Sequence, residues 1–126
     1  QVQSAEAVPA APLNRGLMVV VKELLDSPDR QAYLKWYQTE HIPRVLDTGL
    51  FSGAVTVAGS DAERQNHMAV LFYTPEDDVL AVYVELQKKL AEWRATGREF
   101  PESARTSRVL HSSIYANSIG QYEFYD

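Results

Sequence analysis

The chain has 126 residues, of which 45% are hydrophobic and 23% charged, and its formal net charge is −5. This length suits one domain with a hydrophobic core, and no apolar run approaches the roughly 20 residues of a membrane-spanning helix. The acidic balance argues against nucleic acids and anionic membranes as partners, and the absence of cysteine excludes disulfides, thiolate metal sites and a cysteine nucleophile.

Residues 1–16 are predicted to form an extended N-terminal arm. The lead QVQSAEAVPAAP is rich in alanine and proline and has no hydrophobic periodicity. Such a lead fits the processed start of an exported protein, but the residues leave the compartment open between export and the cytoplasm. The folded domain is predicted over residues 17–117, and residues 118–126 form a tyrosine-rich tail that can add a strand or reach a neighbouring chain.

The first part of the domain predicts a strand, a long helix and a turn. The run LMVVVKEL has the length and the β-branched content of a strand. A helix is predicted over residues 28–47, where Pro28 suits the first turn. Pro43 removes a backbone donor within that helix, so we expect a kink or break near Glu40. Gly49 suits the left-handed cap that ends it.

The second part predicts a hairpin, another helix and a last strand. LFSGAVTVA and HMAVLFYT form the hairpin across the polar loop SDAERQN. Thr74 opens a capping box for the second helix, and Gly97 ends this helix. Its predicted buried stripe is Val79, Val82, Tyr83, Leu86, Leu90 and Trp93. RVLHSSIYA is the fourth strand, and strict alternation places on one of its faces Val109, His111, Ser113 and Tyr115.

The order of these elements is β-α-β-β-α-β, the pattern of ferredoxin-like folds. It predicts an α+β domain in which both helices cover one side of a four-stranded antiparallel sheet. The strands of a sheet with one solvent-exposed face should alternate apolar with polar residues. Strand one instead offers apolar side chains on both faces: Leu17, Val19 and Val21 on one, and Met18, Val20 and Leu24 on the other. We therefore expect a second copy of the sheet to cover the second face in a homodimer.

The segment WYQTEHIPRVLDTGLFSG, from Trp36 to Gly53, resembles the helix-to-strand segment of the dimeric α+β-barrel superfamily. An aromatic residue, a histidine in an E-H-x-P setting and a G-L-F turn recur there. Within this superfamily the chain is similar to EthD-like and related uncharacterised small proteins. The resemblance extends over about residues 17–115, and the piece from E-H-I-P to G-L-F is its most specific part. It implies paired sheets in a dimeric barrel and a pocket between sheet and helices, with His41 near the mouth.

Known members of this superfamily differ widely in their reactions. They include polyketide cyclases and dehydratases, cofactor-free monooxygenases of phenols, lactone isomerases, haem-degrading enzymes and proteins without an assigned activity. The resemblance therefore implies a fold but does not choose a reaction.

His41 is the leading candidate for a catalytic residue. Its imidazole lies beside Tyr37 and Glu40 on an otherwise aromatic stripe, where it can accept a proton near neutral pH. The structural alternative is that His41 hydrogen-bonds the backbone freed by Pro43.

His111 and Tyr115 leave two interpretations open. If their face looks toward the helices, His111 meets His41 and Tyr37 across the cavity as part of an acid–base set, and Tyr115 contacts substrate. If it looks toward a partner sheet, both are interface residues, and strand periodicity does not decide between the two.

Several other side chains have both a binding and a structural interpretation. Arg44 can hold a phenolate or carboxylate, or it can face the helix dipole. His67, at a strand start beside a polar loop, is predicted to be solvated. The three histidines lack HxxxH or HxH spacing and predict no metal site. Four aromatic residues are predicted either to form the wall of a pocket for a flat substrate or to belong to the hydrophobic core: Trp36, Phe72, Tyr83 and Trp93.

Together these residues predict an enzyme that needs no cofactor and acts on a small, flat, hydrophobic molecule, aromatic or polyketide-like. The expected chemistry is proton transfer next to a carbonyl that leads to cyclisation, dehydration or isomerisation, as in a lyase or isomerase. His41 is the expected base, and Tyr37 or His111 the acid. The alternatives are cofactor-free oxygenation of a phenol, a non-catalytic dimer that binds a hydrophobic ligand, and haem binding through the helix histidine.

Overall fold

The computed structural model of the protein describes residues 2–3, 14–59, 65–101, 105–116 and 120–124. The strands are β1 (Val2–Gln3), β2 (Gly16–Leu24), β3 (Gly53–Ala58), β4 (His67–Thr74), β5 (Ser107–Ala116) and β6 (Gly120–Phe124). The helices are α1 (Arg30–Trp36), α2 (Ile42–Asp47) and α3 (Val79–Ala95), and a π-helical turn (Tyr37–His41) joins α1 to α2.

All the described strands belong to one antiparallel sheet in the order β1-β3-β4-β2-β5-β6. The four central strands and the two helical connections give the α+β arrangement predicted from the sequence, consistent with a ferredoxin-like fold. The predicted arm and tail lie largely outside the described residues. The described part of the arm is β1, which pairs with β3 at one edge of the sheet, and the described part of the tail is β6, which pairs with β5 at the other.

The core lies between the helices and one face of the sheet. Burial along β4 alternates at every residue, as expected for a strand with helices on one side. The facing helices contribute a stripe at three- and four-residue steps, which confirms the predicted buried side of α3. The buried members of the core include Met18, Tyr33, Tyr37, Ile42, Val45, Val70, Phe72, Val82, Leu86 and Ile114.

The second face of the sheet is also largely apolar, and many of its side chains are half-buried rather than fully exposed. Val19 lies near the centre of this face, opposite Leu71 on β4 and Ser113 on β5. We call this surface the second face; it also carries Leu17, Val21, Val55, Val57, Ala69, Tyr73, His111 and Tyr115.

The break predicted in the first helix is the π-helical turn. In a regular α-helix, the ring of Pro43 would crowd the carbonyl of Thr39, four residues earlier. In the turn, the N–H of Ile42 instead donates to the carbonyl of Tyr37, five residues earlier. The prediction of a break near Glu40 is confirmed, and its form is one wide turn within an otherwise continuous helix.

The predicted start of the second helix is wrong by several residues. Asp78, rather than Thr74, caps α3, and its carboxylate accepts a hydrogen bond of 3.0 Å from the N–H of Ala81. The hydroxyl of Thr74 donates to the carbonyl of Leu50 at 2.7 Å and accepts from the N–H of Glu76. Thr74 therefore joins the end of β4 to the chain before β3.

A β-bulge in β5 interrupts the alternation of side chains that was predicted along that strand. Val21 lies opposite His111 and the next residue, Lys22, lies opposite Val109, so β5 holds one extra residue at this point. Val109 consequently lies on the helix-facing side with Ser112, where both line the same cavity. The prediction that Val109 shares a face with His111 is wrong.

Candidate functional site

A cleft between the helices and the sheet has two adjoining chambers. The outer chamber has a volume of about 530 Å³, and its walls include the rings of Tyr33, Trp36 and Phe100. The inner chamber, of about 310 Å³, is lined mainly by core residues such as Phe72 and Leu86. Both volumes are in the range of small-molecule sites. We call the residues that line both chambers the waist: Lys22, Tyr37, His41, Arg94 and Glu99.

His41 faces a carboxylate at the waist. Its Nδ1 lies 3.6 Å from Oε2 of Glu99, and the two side chains are 12% and 19% exposed. Neither atom has a hydrogen-bond partner among the described residues. The distance is slightly beyond that of a hydrogen bond, so a small movement would close it. The closed bond would keep a hydrogen on Nδ1 and leave Nε2 as the proton acceptor.

The imidazole is held by aromatic rings. The ring of Tyr37 stacks on it with centroids 4.7 Å apart and planes inclined by 29°, and the ring of Trp36 lies 5.1 Å away. The π-helical turn carries Tyr37 and His41 at its two ends. The alternative role for His41, bonding to the backbone freed by Pro43, receives no support, because Nδ1 has no backbone partner within the described part of the chain.

Tyr37 stays a neutral phenol over the physiological range. Its side chain is buried, and burial is the main cause that raises its pKa well above the ordinary value of 10.0. The neighbouring Tyr33 and Glu99 raise this pKa further through charge repulsion. Tyr37 can therefore donate a hydrogen bond or supply packing, but it cannot act as a phenolate base.

The raised pKa of Tyr37 predicts a loss of stability in alkali. Above pH 10 the unfolded chain releases the tyrosine proton while the folded chain retains it, so the free energy of unfolding falls as pH rises. One such proton contributes a slope of about 1.4 kcal/mol per pH unit. The unfolded tyrosine is only partly ionised over much of the range from pH 9 to 11, so between these two pH values the free energy of unfolding of Tyr37→Phe, measured with urea, should fall by about 1.4 kcal/mol less in total than that of the wild type. A fall in Tyr37→Phe as large as that of the wild type would contradict the burial argument.

Lys22 is a functional candidate that the sequence analysis missed. Its Nζ donates a 2.6 Å hydrogen bond to the hydroxyl of Tyr33 and lies 4.7 Å from the centroid of the Tyr37 ring. Ser107 Oγ bonds to the same Tyr33 hydroxyl at 3.0 Å. A signal was present: Lys22 is a cation within an apolar strand, in phase with the core-facing Met18.

Glu99 was also missed, and no pattern in the sequence indicates it. It follows the end of α3 in a segment without periodicity. Only the packing of this segment against the π-helical turn brings its carboxylate to His41.

The structure separates the remaining predicted site residues. Trp36 lines the outer chamber, and Phe72 and Tyr83 line the inner one. Arg44 and Trp93 instead border a groove on the other side of α2, where the guanidinium lies 5.6 Å from the Trp93 ring centroid. There Arg44 also donates to the carbonyl of Arg98 at 2.9 Å.

The two β5 candidates lie away from the cleft. His111 and Tyr115 pair with Val21 and Leu17 across the β2–β5 ladder, which places both on the second face. Within one chain, His111 is therefore not positioned to exchange a proton with His41. His67, predicted to be solvated, is half-buried at the start of β4.

Two further properties of the described residues bear on the kind of site. No group of three or more histidine, aspartate or glutamate side chains in the described ranges is arranged to hold a metal ion. No described helix combines the length and apolar character needed to cross a membrane. In comparisons with known proteins, no family model, curated protein or solved structure matches the chain.

Proposed function

We propose that the protein is a cofactor-independent enzyme that transfers a proton next to the carbonyl of a small, flat, largely hydrophobic substrate. The overall result would be cyclisation, dehydration or isomerisation. The observation that carries the proposal is the pair of buried atoms without hydrogen-bond partners, His41 Nδ1 and Glu99 Oε2, which face each other where the two chambers meet. Buried polar atoms without a hydrogen-bond partner are exceptions in folded proteins, and a catalytic role is one explanation for them.

The proposed reaction uses side chains of the waist. His41 takes a proton from the carbon next to the carbonyl, and the electron pair of the broken C–H bond moves to the carbonyl oxygen as an enolate. The neutral phenol of Tyr37, which lines both chambers, donates a hydrogen bond to this negative charge. The imidazolium then returns the proton to another carbon or to a leaving hydroxyl, so no oxidant or reductant is needed. Glu99 positions the imidazole and supports its charged form.

The proposal includes a homodimer related to the dimeric α+β barrels and to EthD-like proteins. The support is the second face, where apolar residues such as Val19, Leu71 and Tyr73 form a continuous patch. Large apolar patches on a protein surface typically mark interfaces, and a self-complementary sheet face suits two-fold symmetry. In such a dimer His111 and Tyr115 would be interface residues.

Deuterium exchange tests the proposed chemistry before the natural substrate is known. The protein is incubated in D₂O with 2-tetralone, a flat bicyclic ketone, and loss of the signals next to the carbonyl is followed by proton NMR. We expect faster exchange than in buffer with bovine serum albumin at equal concentration. If the ketone binds, as judged by ligand-observed NMR, and exchange is not accelerated, the non-catalytic binding alternative replaces this proposal. Oxygen uptake with a phenolic ligand would favour the oxygenase.

A further inference from the structure

We infer that the outer chamber carries an anion subsite, formed by the Lys22 ammonium and the Tyr33–Ser107 hydroxyl pair, that binds the carboxylate of a flat-ring acid. The inference rests on the proposed function, because it names the substrate class of the same cleft: an aromatic or conjugated ring that bears a carboxylate. It replaces Arg44, which lies outside both chambers, as the group that holds a substrate anion.

Two of the three N–H donors of the Lys22 ammonium are not used by the hydrogen bond to Tyr33. An ammonium carries three N–H donors and no acceptor, and one donor is used by the Tyr33 hydroxyl. Within the described ranges, no carboxylate forms an ion pair with Lys22. The half-buried ammonium is fixed over the rings of Tyr33 and Tyr37, at 5.3 and 4.7 Å from their centroids. It is therefore a preorganised cation whose remaining donors can bind a ligand anion.

The neighbouring hydroxyls add a second donor. Tyr33 and Ser107 share one hydrogen bond of 3.0 Å, which uses one of their two hydroxyl hydrogens whichever group donates. Because Lys22 must donate to the Tyr33 oxygen, it cannot take up the second hydrogen. Among the described contacts, that hydrogen has no acceptor, and both hydroxyl-bearing residues line the outer chamber. An ammonium and a hydroxyl side by side match the two oxygens of a carboxylate.

The chamber around this subsite suits a ring that bears negative charge. Its described lining has four cationic side chains, Lys22, Arg94, Arg105 and Arg108, and one carboxylate, Glu99. Arg108 forms a 2.6 Å ion pair with Glu23, which leaves an excess of cationic side chains in the lining of a chain whose net charge is −5.

The ring itself would contact an aromatic wall. Tyr33, Trp36 and Phe100 form a mutually packed set whose ring centroids are 5.3 to 5.9 Å apart, and all three line the outer chamber. Aromatic surfaces of this kind favour flat ligands through offset or edge contacts. Wall and subsite share Tyr33, so a ligand ring and its carboxylate can be bound at the same time.

Equilibrium binding tests the inference without any turnover. Isothermal titration calorimetry at pH 7 would compare 2-naphthoate with its neutral counterpart 2-naphthamide. We expect the carboxylate to bind roughly 10- to 100-fold more tightly, the range for a hydrogen bond to a charged group. Lys22→Met should abolish this preference, whereas Lys88→Met, which removes the same charge from the exposed side of α3, should retain it.

Each outcome decides a separate point. Equal binding of acid and amide, or a preference that survives Lys22→Met, overturns the anion subsite and leaves the proton-transfer proposal standing for neutral substrates. If Lys22→Met does not fold, Tyr33→Phe takes its place and should reduce the preference several-fold. Conversely, His41→Gln should keep the preference for naphthoate, because His41 is not part of the subsite. A preference without any catalysed exchange would retain the subsite and reject the proposed enzyme.

Discussion

Replacing His41 with glutamine should lower the rate of catalysed deuterium exchange by about 10²- to 10⁴-fold, the usual contribution of a general base. Glutamine keeps a similar size and hydrogen-bonding capacity but cannot take the proton from carbon. The expectation rests on the 3.6 Å approach of Glu99 to this imidazole. The measurement is the initial exchange rate of 2-tetralone by NMR, with circular dichroism to confirm that the variant is folded.

Two companion variants make this test specific. Glu99→Gln should slow exchange less than His41→Gln, because in the proposed mechanism Glu99 positions the imidazole and supports its charged form without touching substrate. His67→Gln, at the start of β4, should leave the rate unchanged. Full exchange activity in His41→Gln would remove His41 from the mechanism.

Replacing Val19 with aspartate should convert the proposed homodimer into monomers. Val19 lies between Leu71 and Ser113 near the centre of the second face, where an aspartate in a paired sheet would be buried without a partner. The cost of several kcal/mol corresponds to a weakening of association by about three orders of magnitude or more. Native mass spectrometry should show a wild-type mass of twice the 14.2 kDa chain and a monomer mass for the variant.

The matched control is Val84→Asp. Val84 is a valine on α3 that is 46% exposed, so the same substitution there should leave the dimer intact. A wild-type protein that is monomeric at the same concentration would contradict the proposed pairing of sheets and, with it, the relationship to dimeric barrels. A dimer in both variants would place the interface elsewhere on the surface.

The elements whose formation depends on local sequence were predicted well. HMAVLFYT forms β4 at the predicted residues, because β-branched and aromatic residues fill a strand whose burial alternates. Pro43 indicated the break in the first helix. The start of α3 was missed because Thr74 and Asp78 are both suitable caps, and only the contact of Thr74 with Leu50 decides between them.

The candidate site could be predicted only in part. His41, Tyr37 and Trp36 share one helical stretch, so their proximity follows from spacing along the chain. Glu99 and His41 are 58 residues apart in the sequence. No local sequence pattern indicates a contact between residues so far apart. The bulge in β5 reversed the face assigned to Val109, since one extra residue shifts the phase of a period of two.

The π-helical turn also determines how this chain corresponds to other proteins of the same architecture. Bonding to the fifth residue rather than the fourth accommodates one residue more than an α-helical turn. In a protein with a regular α-helix here, one residue fewer would therefore separate the start of the helix from the position equivalent to His41. If the two sequences were aligned without a gap, the residue aligned with His41 would lie about 100° away from the equivalent position around the helix axis. A one-residue gap within Tyr37–His41 is the alignment that preserves the geometry of the cleft.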